Sequence, residues 1–106
     1  MDSQERRTEV RLQYGILFDE VAAALFTADP IGLNFGYNTD EYHPEVGTIL
    51  PQLRDCRSAQ DVQQLLYREF VAWFDKDLAD PQAKYLGLAR EIWGLWQRHL
   101  GHRSLV

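Results

Sequence analysis

"SAQDVQQLLYREFVAWFD" spans Ser58–Asp75, and the rhythm of its apolar residues decides the fold class. Val62, Leu65, Leu66, Phe70, Trp73 and Phe74 recur at spacings of three and four, which puts them on one face of an α-helix. Gln63, Gln64, Arg68 and Asp75 fall away from that face. Ser58, followed three positions later by Asp61, resembles a capping box with Asp in place of the usual Glu, so the helix should start there.

The same rhythm extends in both directions. From about Gln4 to Phe26, Val10, Tyr14, Leu17, Phe18, Val21, Ala22 and Leu25 form one stripe, with Gly15 as the weak point of the helix. Asp29 and Pro30 end it, because proline cannot continue a helix. A shorter helix is expected from Tyr42–Pro44, with Glu45 in its first turn and Val46, Ile49, Leu50 and Leu53 inside. Pro51 should kink or shorten it. A last helix is expected over 81–100, with Asp80 as its N-cap and Gly101 as its stop. Its wide apolar face holds Tyr85, Leu88, Ala89, Ile92, Leu95 and Trp96. On its flank, Leu86, Trp93 and Leu100 repeat every seven residues, and they form an oligomer seam if the face is not covered internally.

No segment alternates with period two for long enough to make a strand. The expectation is therefore an all-α chain: a small four-helix antiparallel bundle with a long ordered loop between the first two helices. At 106 residues it is a single helical domain over 1–106, with about 1–8 and 102–106 as flexible ends. The lone Cys56 excludes an internal disulfide. No apolar run approaches the roughly 20 residues of a membrane span, and "MDSQERRTEV" lacks a signal-peptide core, so a cytoplasmic location is expected.

The net charge of -5 is unevenly spread. From Leu12 to Leu53 there is no Lys or Arg, but six acids: Asp19, Glu20, Asp29, Asp40, Glu41 and Glu45. All 11 basic residues lie outside that stretch. This speaks against binding nucleic acid, which relies on cations to neutralise phosphates, and towards a basic protein partner. No membrane contact is expected, and the chain should be a monomer or a homodimer.

The acidic loop "DPIGLNFGYNTDEYHPEVG", Asp29–Gly47, is the candidate functional segment. It fails as an EF-hand. Counted from Asn34, Gly36 falls on a ligand position, Thr39 replaces the obligatory glycine and Pro44 interrupts the ligand end. An irregular cation or small-ligand site from Asp40, Glu41, His43 and Glu45 is the alternative use. Architecture explains much of the rest. Asp29-Pro30-Ile31-Gly32 has turn chemistry, Asp40 suits a cap, and Tyr42 suits a hydrophobic staple. The partner-binding residues expected from this reading are Asp29, Asp40, Glu41, Tyr42 and Glu45. No catalytic constellation emerges. Cys56 reads as a small apolar residue, and His99 and His102 read as partners of the helix dipole. The expectation is a non-catalytic protein with no cofactor and no metal, with an immunity or antitoxin type as its concrete version.

The motif "DPIGL" followed by "DEYHPEVGTIL" resembles the YugE-like family of small bacterial helical proteins of unknown function. The matching positions are Asp29, Pro30, Gly32, Asp40, Glu41, Tyr42 and Glu45, with Phe70 and Phe74 fitting aromatic positions further on. The resemblance covers about residues 10–76. It implies a compact helical fold and a bacterial origin, and brings no activity or catalytic residue with it.

Overall fold

Helices are the only regular elements of the computed structural model, which describes residues 3–32 and 42–104. The chain is all-α. We number its α-helices α1 (Ser3–Tyr14), α2 (Ile16–Ala28), α3 (His43–Ile49), α4 (Ala59–Trp73), α5 (Lys76–Ala79) and α6 (Leu86–Ser104). Two 3₁₀ segments, Leu50–Asp55 and Gln82–Tyr85, follow α3 and precede α6.

The expected first helix is two helices. Gly15 adopts φ 57 and ψ −126, a backbone state open only to glycine at little cost, and the helix is interrupted there. The stripe read from the sequence is buried as one continuous surface nonetheless, because both halves dock on the same core. The next element is short, as expected: its α-helical geometry ends at Ile49, two residues before Pro51, and the chain continues as a 3₁₀ turn over Leu50–Asp55.

Ser58 caps α4 by accepting from the Asp61 N–H at 3.1 Å. The Asp61 carboxylate accepts from the Arg57 N–H at 2.8 Å, one residue before the position that a capping box uses. Val62, Leu65, Leu66 and Phe70 are buried, while Trp73 and Phe74 are half-buried. Trp73 lies at the edge because its indole N–H donates to Thr48 Oγ1 at 3.0 Å, a polar partner it could not reach from the centre.

The last helix differs from expectation at both ends. Asp80 does not cap it. Its carboxylate takes the Tyr67 hydroxyl and Lys76 Nζ, the latter at 2.7 Å, and its backbone closes α5. The intervening 3₁₀ turn displaces the start of α6 to Leu86. Gly101 remains helical, and α6 runs to Ser104. At the other end of the chain α1 begins at Ser3, one residue before the expected Gln4.

Packing closes a ring around one core. The α4 helix lies on α6, α6 on α2, and α3 bridges α1 to α4. The radius of gyration, 13.2 Å, is close to the ~13 Å of a compact chain of this length. Phe70 is the aromatic centre. It stacks on Tyr85 (5.7 Å) and Phe74 (5.9 Å) and meets the edge of Tyr42 at 6.0 Å. Tyr85 is buried and donates to the Ala79 carbonyl at 2.7 Å; burial pushes its phenol up to about 12.

Candidate functional site

The acidic segment is tied to the core where it leaves and where it returns. At the exit, Asp29 closes α2 in the left-handed conformation (φ 46), its N–H bonded to the Leu25 carbonyl at 2.8 Å. Gly32 then turns at φ 80. At the return, Tyr42 precedes α3 with its side chain only 1% exposed. The Tyr42 hydroxyl donates to Asp29 Oδ1 at 2.6 Å and accepts from the Ile31 N–H at 3.3 Å. A second tie comes from α6's side of the molecule, where Lys84 Nζ donates to the Pro30 carbonyl at 2.8 Å and to that of Leu78 at 2.9 Å.

The sequence-derived candidates therefore separate. Asp29 is half-buried and Tyr42 is buried, and the two are bonded to each other. Asp40 and Glu41 lie outside the described residues. Glu45 was expected among the outward-facing acids but is 4% exposed, so its carboxylate is interior. Tyr42 and Glu45 are thus both buried, at 1% and 4% exposure. His43 is half-buried, with its ring edge-on to Phe18 at 5.1 Å.

Glu45 is an unusual group. Its Oε2 is buried with no hydrogen-bond partner among the described residues. Burial pushes its carboxyl pKa up, against smaller lowering effects from its own backbone hydrogen bond and from Arg7. No group of three His, Cys, Asp or Glu residues among the described ones is arranged to hold a metal ion.

Next to this carboxyl lies a feature that the sequence reading missed. Arg7, Thr8, Arg11 and Leu12 of α1 and His43 of α3 line an open cleft of about 300 Å³. Arg11 bonds Asp19 at 3.0 Å and lies 5.4 Å over the Phe18 ring. Arg7 is half-buried. Its backbone lies against Gly47, where a Cβ would come within 3.2 Å of the Arg7 Cα. The available signal was the i, i+4 spacing of the two arginines, but Arg7 falls in the stretch of about 1–8 that was expected to be a flexible end.

Cys56 is half-buried with its thiol pKa raised, first by burial and then by the Asp61 carboxylate, which disfavours the thiolate a nucleophile needs. His99 packs between Tyr14 (6.0 Å) and Trp96 (5.7 Å). On the flank of α6, Leu86 and Leu100 are each 40% exposed, and Trp93 packs half-buried against the core. No helix among the described residues is long and apolar enough to cross a membrane.

No protein-family model, curated protein or solved structure matches the chain. It is an all-α chain in which Tyr42 is bonded to Asp29 and a small cleft is lined by Arg7 and Arg11.

Proposed function

We propose that this chain is a small, non-catalytic interaction module that binds a basic protein partner through its 29–45 segment, in the manner of an immunity protein or antitoxin. One observation carries the reading: the Tyr42–Asp29 hydrogen bond of 2.6 Å fixes where the acidic segment leaves and rejoins the core. A segment anchored at both ends loses less conformational freedom on binding than a free one. Asp40 and Glu41 lie inside that tether, in a stretch with no Lys or Arg to neutralise them, so they suit a cationic surface. The resemblance to the YugE-like motif falls on the same residues.

The test is affinity capture from the host, with the wild type beside Asp40→Ala/Glu41→Ala, after a thermal melt has shown the variant folded. A stoichiometric partner held by the wild type and lost from the variant supports the module. A partner held equally by both moves the interface elsewhere.

A second reading, a small-ligand site that includes His43 and Glu45, is favoured by the buried Glu45 oxygen that has no hydrogen-bond partner among the described residues. Its mark is a melting temperature that rises with ligand concentration.

A further inference from the structure

The geometry points to an oxyanion-binding site in the cleft between α1 and α3, with Arg7 as its principal donor and a phosphate or carboxylate group as the ligand. The cleft shares His43 with the Asp29–Gly47 segment but takes a ligand of opposite charge to the one proposed for Asp40 and Glu41.

The first argument is the state of Arg7. Its guanidinium offers five N–H donors and is always charged. It is half-buried, yet forms no hydrogen bond and no ion pair among the described residues. A partly buried cation that lacks a partner among the described residues is costly, and a bidentate oxyanion is the group that best relieves it. Glu45 does not fill that role. It acts on Arg7 only through space, beyond contact distance, and its burial favours the uncharged carboxyl.

The second argument is placement. Gly47 lets the α1 backbone sit directly on α3 at Arg7, so the side chain leaves from a fixed, close-packed interface. The spacing of Arg7 and Arg11 aligns both on one face of α1, with the Thr8 hydroxyl and the His43 ring on the same cleft. Arg11 stays on Asp19 and contributes field rather than a free fork. Two guanidiniums also repel a metal ion, which separates this site from any cation site.

The third argument is size. About 300 Å³ is the lower end of small-molecule pockets, enough for a phosphate or carboxylate and a short organic body lying along Leu12.

The experiment is an amide NMR titration of the full chain with inorganic phosphate and, separately, with acetate. Sodium chloride at matched ionic strength is the control. Saturable shifts at the amides of Arg7–Leu12 and His43, beyond those caused by chloride, are expected for at least one of the two anions. Phosphate alone marks a phosphorylated ligand and acetate alone a carboxylate one. Arg7→Gln should weaken binding about tenfold or more, which corresponds to about 1.4 kcal/mol. Arg7→Lys keeps the charge but loses the fork, so it should fall between the two. If Arg7→Gln does not fold, Arg7→Lys alone decides. Shifts that merely follow ionic strength, or unchanged affinity in the folded Arg7 variant, overturn the site. Neither result bears on capture of a partner by Asp40 and Glu41.

Discussion

Across 13 positions of sequence, the Tyr42 hydroxyl donates to Asp29 Oδ1 at 2.6 Å, while its oxygen accepts from the Ile31 N–H. One phenol thus holds the C-terminal cap of α2 and the entry to α3 together, with its ring set against Phe70. Replacing Tyr42 with Phe keeps the ring and removes both bonds. The expected loss is about 1–2 kcal/mol, since one bond is charge-assisted but only part-buried. Urea unfolding of wild type and Tyr42→Phe measures it. An unchanged midpoint would show that the tether contributes nothing to the fold.

Glu45 sets a pH dependence of opposite sign to that of a paired carboxylate. Its folded pKa is raised above the ordinary 4.5 by burial. The folded state therefore binds more protons than the unfolded one between those two values, and stability falls as pH rises through that window. The contribution is fully present below the unfolded pKa and lost above the folded one. Glu45→Gln should remove this slope and stabilise the chain by about 1 kcal/mol at neutral pH, because a buried amide costs less than a buried carboxylate. Chemical unfolding of both proteins across mildly acidic to neutral pH measures the difference. A wild-type advantage at neutral pH would contradict it.

Two glycines are needed for unlike reasons, and alanine scanning separates them. Gly15 has open space around its missing side chain but sits at φ 57, so Gly15→Ala costs about 1–3 kcal/mol of backbone strain alone. Gly47 is helical with ordinary angles, but its added Cβ would meet the Arg7 Cα at 3.2 Å. Gly47→Ala should push α1 away from α3 and cost about 1–3 kcal/mol through overpacking. Thermal melts give both losses. Only Gly47→Ala should also shift the amides of α1 around Arg7.

Ser58→Ala removes the side-chain acceptor for the Asp61 N–H at the start of α4. The cost is about 1 kcal/mol, as for other caps of this type. Equilibrium unfolding provides the value, and a loss well below half of it would mean that the Asp61–Arg57 bond alone secures the helix start.

The apolar stripes were readable from the sequence because burial follows helical period. Leu17, Phe18, Val21 and Leu25, or Ile92, Leu95 and Trp96, have no other way to leave water together. The breaks were less legible. Gly15 marks a weakness in any helix, but only the competing pull of two packing surfaces turns it into an interruption. Asp80 followed by Pro81 has the form of a helix start, yet Tyr67 and Lys76, distant or displaced in sequence, claim its carboxylate first. Glu45 is the clearest miss at the site. A glutamate in a first turn reads as a solvated partner of the helix dipole, and nothing in the local pattern signals that α1 will lie over it. The Arg7 cleft was hidden for the same reason, since it exists only once α1 has docked on α3.

The single glycine between α1 and α2 also divides the molecule in time. An unbroken helix would have to open and close as one unit with α2, which is locked against α6. With the joint at Gly15, α1 becomes a separate cooperative unit whose detachment exposes Val10 and the Gly47 surface but leaves the pairing of α2, α4 and α6 in place. In native-state hydrogen exchange, the α1 amides should therefore exchange through a partial opening at lower free energy than those of α4 and α6, which wait for global unfolding. The cleft at Arg7 opens and closes with that same unit, so whatever occupies it slows exchange along α1 first.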